Sequence, residues 1–196
     1  MRDLVANNQA VKHKCAQLGI TPLVLEEDAT IIQTAQQTKN SPTLLLLADN
    51  TKRELIQANI DGVINLETSN KKDFLHHRRS NLEQVSTQLL KEKNAALILT
   101  MQAIREATNP AQVLGRMQQN ARIAQKKGLA TIFVSAATQP EELPSTHDQE
   151  AFWRAHGFSE QQIAANQQTI NDWLAQAKHR ASEEYVAEGI TKNPKK

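Results

Sequence analysis

Residues 95–137 read AALILTMQAIREATNPAQVLGRMQQNARIAQKKGLATIFVSAA, an apolar run, a longer amphipathic run and a second apolar run. The two apolar runs, 95–101 and 129–137, are nearly continuous rather than alternating, which is typical of strands buried on both faces of a parallel sheet. Between them, Pro110 is favoured in the first turn of a helix and Gly128 just after its end. The stretch therefore predicts a β-α-β unit whose helix spans 110–127.

The same alternation extends through the rest of the chain. Further apolar runs fall at 3–5, 22–27, 42–48 and 62–67. Helical patterns fall at 6–18, at 80–93, and late in the chain on Ile163, Ile170, Trp173, Leu174 and Ala177. This order predicts an α/β fold in one domain over 1–190, followed by a basic tail at 191–196. A closed (β/α) TIM-like barrel is the first expectation, and an open doubly wound sheet is the alternative.

Composition narrows the class of protein. The chain has 196 residues and is 39% hydrophobic, and no apolar run approaches the ~20 residues that a membrane span needs. The first residues lack the apolar stretch of a signal peptide, so we expect a cytoplasmic protein. Cys15 is the only cysteine, so an intramolecular disulfide is impossible, and we expect this side chain to be buried.

Charge is distributed unevenly along the chain, although its net value is only +2. Residues 71–93 contain six Lys or Arg against three acids, residues 105–128 five against one, and residues 137–172 one against six. The basic middle of the chain is either a set of solvated helix faces or an edge that faces a polyanion.

Motifs for catalysis and metal binding are absent from the sequence. There is no glycine-rich nucleotide loop, no G-x-S-x-G elbow, and one cysteine cannot build a thiolate zinc site. His76 and His77 are adjacent, so their side chains diverge on a strand or a helix. The first predicted strand offers Asp3 but no H-x-H pair. We therefore predict no catalytic residue and no metal ligand in this chain.

The stretch HHRRSNLEQV, residues 76–85, predicts an anion-facing helix entry. Ser80 and Glu83 match the S-x-x-E capping box, which would start a helix directly after Arg78 and Arg79. Free amides at a helix start favour anions, and each guanidinium can grip a phosphate with two hydrogen bonds.

The helix predicted at 110–127 carries a second basic group. Its core stripe is Val113, Leu114, Met117, Ala121 and Ala124. We expect its polar side to turn four cations towards RNA or a partner protein: Arg116, Arg122, Lys126 and Lys127. Aromatic residues make up only 4% of the chain, so we expect readout of RNA backbone and shape rather than base stacking.

Several stretches, in this order, resemble the archaeal ribonuclease P protein component 3 family, which includes the eukaryotic thirty-kilodalton ribonuclease P and MRP subunit. The resemblance runs through most of the chain and is strongest over 61–137, which begins with DGVINLE and includes HRRS and GRMQQNARIAQKKG. The late ANQQTINDWLAQAKHR and YVAEGI also resemble that family. The chain departs from the family pattern at Asn81, where a glycine is usual, and after residue 101.

The resemblance implies a barrel related to metal-dependent (PHP-type) phosphoesterases but without their metal ligands. It implies a non-catalytic protein subunit of the ribonucleoprotein that removes the 5′ leader from precursor tRNA. The RNA subunit would carry catalysis with Mg²⁺, and this chain would bind no cofactor. Implied partners are ribonuclease P RNA, a Pop5-type protein subunit and other ribonuclease P proteins, with precursor tRNA as the substrate of the complex.

Two other functions stay open at this point. A metal-dependent phosphoesterase barrel would need a His/Asp/Glu cluster at the carboxyl ends of its strands. A metabolic barrel enzyme with a small anionic substrate could use Arg79 and the region of Ser135 as a phosphate site.

Overall fold

The computed structural model describes residues 1–32, 44–48, 56, 60–69, 72–180, 185–187 and 190–191. The strands are β1 (Arg2–Val5), β2 (Thr21–Val24), β3 (Ala29–Ile32), β4 (Leu44–Ala48), β5 (Gly62–Ile64), β6 (Ala96–Thr100), β7 (Ala130–Val134), β8 (Tyr185–Ala187) and β9 (Ile190–Thr191). The α-helices are α1 (Gln9–Gln17), α2 (Gln84–Glu92), α3 (Met101–Arg105), α4 (Pro110–Lys127), α5 (Thr146–Ala155) and α6 (Glu160–Arg180). Short 3-10 helices cover Leu66–Thr68 and Pro140–Glu142.

The main sheet is parallel and has the strand order β3-β4-β5-β6-β7. A second parallel pair joins β1 to β2, and β8 pairs with β9 in an antiparallel hairpin. The predicted α/β fold with parallel strands is confirmed. Strand β3 and helix α3 were not predicted, and most of the predicted tail at 191–196 lies outside the described residues.

The predicted closed barrel is not shown. Within the described residues the two parallel sheets meet only at isolated bridges, such as Val5 with Ala137. The reason lies at the facing edges of β7 and β1, whose backbone groups are taken by side chains. Asn166 of α6 binds both the N–H and the carbonyl of Phe133, at 2.8 Å each. The next residue, Gln167, binds the N–H and the carbonyl of Arg2.

The two faces of the main sheet pack against different sets of helices, and of the described helices only α6 contributes to both, with Ile163 in the first core. Leu45, Leu47 and their neighbours on one face join a core with α2, α4 and α5. Leu44, Leu46 and the opposite face join a core that includes Ile170, Trp173 and Leu174 of α6. Helix α6 therefore covers this second face, and Trp173 Nε1 donates to the Asp61 carbonyl, just before β5, at 2.6 Å. Cys15 is fully buried, as predicted. None of the helices in the described ranges combines the length and apolar content that crossing a membrane requires.

Helix boundaries confirm one prediction and correct another. Helix α4 spans the predicted 110–127 and ends at Gly128, whose φ of 68° is left-handed. Helix α2 begins at Gln84, not at residue 80, because Asn81 adopts a left-handed φ of 56° that breaks a helix there. The predicted capping box of Ser80 with Glu83 is therefore wrong. Glu83 is itself the N-cap residue, and its N–H donates to the hydroxyl of Ser86.

Candidate nucleic-acid interface

Helix α4 presents a row of residues at helical spacing, Gly115, Gln119, Arg122 and Lys126, on a single face. Arg122 and Lys126 are exposed, as predicted. The row is about 16 Å long at 1.5 Å per residue. Lys127 is half-buried and lies off this row, on the same side of the helix as Arg116, in the last turn, where a cation suits the helix C-terminus.

The segment 72–83, here called the anchored loop, lies on the first half of this row. The side chain of Gln119 accepts a hydrogen bond from the Arg78 N–H (3.1 Å) and donates to the Arg78 carbonyl (2.8 Å). It also donates to the hydroxyl of Ser80, which is buried. Ser80 thus helps to hold the loop on α4 rather than capping α2.

Arg78 lies directly on Gly115. A Cβ built on this glycine would come within 1.8 Å of Nη1 and 2.3 Å of Cζ of Arg78. Glycine costs about 1 kcal/mol relative to alanine inside a helix, but here it makes room for a guanidinium. We call Arg78, Arg122 and Lys126 the basic stripe, because Arg78 extends the row formed by the two helical cations.

Arg116 is not on this surface, contrary to the prediction. It is 1% exposed and binds Oδ1 of Asp73 through Nε and Nη2, at 2.8 Å each. Its Nη1 donates to the carbonyls of Glu67 (3.0 Å) and Ser69 (2.5 Å). Because the Arg116 guanidinium is buried and hydrogen-bonded to these groups, it is not accessible to RNA. Its role is to hold the base of the anchored loop.

Asp73 is the residue of the anchored loop that binds Arg116. Besides Arg116, its Oδ1 accepts the backbone N–H of Arg79 at 2.9 Å. Burial raises the pKa of the Asp73 carboxyl, but hydrogen bonds from Arg116, the Arg79 amide and Gln112 outweigh burial, so the pKa is lowered from its ordinary value. Asp73 is therefore ionised near neutral pH, and its charge is opposed by that of Arg116.

The outer part of the anchored loop is a turn in which the N–H of Phe74 donates to the carbonyl of His77 at 2.9 Å. His76, His77, Arg78 and Arg79 are all exposed there. In the described part of the chain, no acidic side chain lies within ion-pairing distance of Arg78 or Arg79. The predicted anion-facing cations are therefore accessible, although they lie in a loop and not at a helix start.

A cavity of about 520 Å³ opens beside the anchored loop, where β5 and β6 end. Its polar lining is mainly amides and hydroxyls: Asn65, Thr68, Ser69, Gln102, Thr108, Asn109 and Gln112. Glu106 and the buried Arg116 are its charged members. Over the described ranges, no three His, Cys, Asp or Glu residues come together in a way that could hold a metal ion.

Ser135 is not available for the phosphate site that was considered with Arg79. It is fully buried, its N–H donates to Asp3 at 2.7 Å, and its hydroxyl accepts the N–H of Ala137. Arg79 instead lies against Phe74 and Asp73 in the anchored loop. The structure does not bring Arg79 and Ser135 into one site.

Sequence reasoning missed the residues that hold this surface in place: Asp73, Gly115 and Gln119. Gly115 carried a usable signal, because a single glycine inside a helical pattern often marks a close approach. Asp73 and Gln119 carried none, since an acid and a glutamine on polar segments usually face solvent.

Comparisons with known proteins reveal a structural likeness without a sequence match. No protein-family model matches the chain, and no curated protein matches its sequence. Its fold is similar to that of a chain in the cryo-EM structure of archaeal ribonuclease P with mature tRNA. The TM-score is 0.64 at 11% identity, over 100% of this chain and 90% of that one. An uncharacterized protein known from a crystal structure is more distantly similar, with a TM-score of 0.43 at 11% identity over 80% of this chain and 39% of that one. At such identities the first likeness shows a shared fold.

Proposed function

We propose that this chain is a protein subunit of ribonuclease P, which cuts the 5′ leader from precursor tRNA. The proposal rests chiefly on the shared fold, over the whole length of this chain, with a chain of an archaeal ribonuclease P particle. The exposed basic stripe supports a surface that faces RNA. Membership of the protein component 3 family and a cytoplasmic location remain predictions.

The basic stripe would act by gripping phosphates. Each guanidinium is charged at every working pH and can donate two parallel hydrogen bonds to one phosphate. Because Gln119 and Asp73 already order the anchored loop, binding would cost less conformational entropy than it would for a free loop. The chain would thereby hold the RNA subunit in its active shape together with a Pop5-type partner.

Catalysis would belong to the RNA subunit and its Mg²⁺. This chain contributes charge and shape, and its cavity at the strand ends is lined mainly by amides and hydroxyls, which are weak acids and bases. Purified chain with precursor tRNA and Mg²⁺, without RNA subunit, should release no 5′ leader. Specific cleavage that follows the protein through purification would contradict this role.

Reconstituted precursor-tRNA cleavage tests the anchored loop with a matched pair of variants. Arg78→Ala with Arg79→Ala should weaken assembly or raise the Mg²⁺ requirement, most clearly at high salt. His76→Ala with His77→Ala removes two exposed neighbours of the same turn and should be mild. A larger effect of the histidine pair would overturn the assignment to the arginines.

The salt dependence of RNA binding tests the helical part of the stripe. Loss of two phosphate contacts, in Arg122→Ala with Lys126→Ala, should reduce the slope of log K against log[salt] by about 1.4–1.8. Lys178→Ala, at an exposed lysine of α6, is the matched control and should leave the slope nearly unchanged. An unchanged slope in the double variant would remove α4 from the RNA contact.

A further inference from the structure

The turn of the anchored loop exposes two large apolar side chains. Phe74 is 57% exposed and Leu75 is 92% exposed. Exposed apolar groups on a surface loop that several hydrogen bonds hold in place are typical of a contact site. The chemistry around them indicates what they contact.

The guanidinium of Arg79 lies over the ring of Phe74. The guanidinium carbon of Arg79 lies 4.3 Å from the ring centroid. The backbone N–H of Arg79 is bound by Asp73, and the N–H of Phe74 is bound by His77, so both sides of this contact are fixed by the backbone. Arginine and phenylalanine together present flat, exposed π surfaces of the kind on which nucleobases stack.

We propose that Phe74 and Arg79 form a stacking site for one unpaired nucleobase of an RNA, while Lys72 and the basic stripe hold the flanking phosphates. This inference rests on the proposed function, and it names what part of the RNA the anchored loop contacts. It also extends the readout predicted from composition, which was of backbone and shape alone. A low aromatic content does not prevent stacking when a single exposed ring is held in place.

The charges around this turn fit an RNA partner better than an apolar protein partner. Lys72, Arg78 and Arg79 are exposed within residues 72–79, and the sole acid of that range, Asp73, is paired with Arg116. A protein partner that buried Phe74 and Leu75 would have to desolvate these cations as well. A nucleotide offers a π face to Phe74 and a phosphate to the cations at the same time.

A tryptophan reporter tests this site directly. The native Trp153 and Trp173 are 1% and 5% exposed, so Phe74→Trp adds an accessible indole to a shielded background. A short oligoadenylate strand should quench this new fluorescence. The same strand annealed to oligouridylate should quench it far less, because its bases are already stacked and paired. Equal quenching by both forms, or by neither, would overturn the inference.

Binding measurements on the same two RNAs provide a second readout. Phe74→Ala should weaken binding of the single strand by about tenfold and leave duplex binding unchanged. Arg79→Lys keeps the charge but loses the flat guanidinium, so it should also reduce the preference for the single strand. Val85→Ala alters another exposed apolar side chain, 67% exposed, and should change neither affinity.

The outcomes separate this inference from the proposed function. If the wild-type chain contributes nothing to reconstituted precursor-tRNA cleavage, the proposed function fails, and the stacking inference that rests on it fails too. If the wild-type chain binds RNA but Phe74→Ala keeps its preference for the single strand, the stacking inference is overturned and the proposed function stands. The latter result would leave Phe74 and Leu75 as a contact for a protein.

Discussion

Gln119 binds the backbone of Arg78 through both ends of its side-chain amide, accepting from the N–H at 3.1 Å and donating to the carbonyl at 2.8 Å. A side-chain amide in this position imitates a neighbouring strand, because it offers one acceptor and one donor to the same residue. Asn166 does the same for Phe133 and Gln167 for Arg2. Within the described residues, side-chain amides thus satisfy both backbone groups of Arg78, Phe133 and Arg2.

Gln119→Ala should loosen the anchored loop while the rest of the fold persists. The lost bonds predict a decrease of about 1–2 kcal/mol in the free energy of unfolding. Hydrogen exchange at the amides of residues 76–79 should become faster than in wild type. Gln125→Ala, at an exposed glutamine of the same helix, is the matched control and should leave both quantities unchanged. Unaltered exchange in Gln119→Ala would show that this amide does not hold the loop.

Arg116→Ala should be the more damaging loop variant, since it leaves the partly buried Asp73 carboxylate and two backbone carbonyls without their cation. Breaking a buried pair from one side costs about 3–5 kcal/mol, which urea unfolding would measure. A cost below about 1 kcal/mol would mean that water replaces the guanidinium. Arg122→Ala, at an exposed arginine of the same helix, is the comparison.

The ion pair between Asp73 and Arg116 also makes a pH-dependent contribution to the free energy of unfolding. Since the pKa of Asp73 is lowered in the folded chain, the pair stabilises the fold above the ordinary aspartate pKa. That stability is lost as the pH falls through the lower, folded-state pKa. In Asp73→Asn this part of the acid sensitivity should disappear. The difference in free energy of unfolding between wild type and variant should therefore shrink as the pH falls. A difference that stays constant with pH would contradict the ion pair.

Asp3 has the opposite pH dependence. Burial raises its pKa to about 6, although hydrogen bonds from Ser135, Gln149 and the backbone oppose the shift, and Oδ2 has no hydrogen-bond partner. Its contribution to stability is complete below the ordinary pKa and is lost as the pH rises through about 6. A shift from 3.8 to about 6 corresponds to about 3 kcal/mol.

Asp3→Asn, which stays neutral and keeps an acceptor for the Ser135 N–H, tests this assignment. Relative to wild type, the variant should gain stability between about pH 4 and pH 7, as measured by urea unfolding at several pH values. The difference between the two proteins isolates Asp3, because all other acids are common to both. If the difference in free energy of unfolding between the two proteins did not change with pH, the Asp3 carboxylate would be solvated when it ionises.

The sequence predicted local structure better than the contacts between segments. Pro110 and Gly128 located both ends of α4, since their backbone preferences act locally. Asn81 takes a left-handed φ of 56°, so the helix predicted from residue 80 begins only at Gln84. The contacts of Asn166 with Phe133 and of Arg116 with Asp73 join residues 33 and 43 positions apart, so no local pattern reveals them.

Gly115→Ala should affect stability and RNA binding in opposite directions. Alanine is more favourable than glycine inside a helix by about 1 kcal/mol. The new Cβ of Gly115→Ala would lie 1.8 Å from Arg78 Nη1, and this exposed side chain can swing away at little cost. We therefore expect unfolding stability to be kept or slightly raised, while RNA affinity falls as far as in Arg78→Ala. Combining the two substitutions should cause no further loss, since both remove the same guanidinium from the basic stripe. Wild-type affinity in Gly115→Ala would mean that Arg78 binds RNA from another position, or not at all.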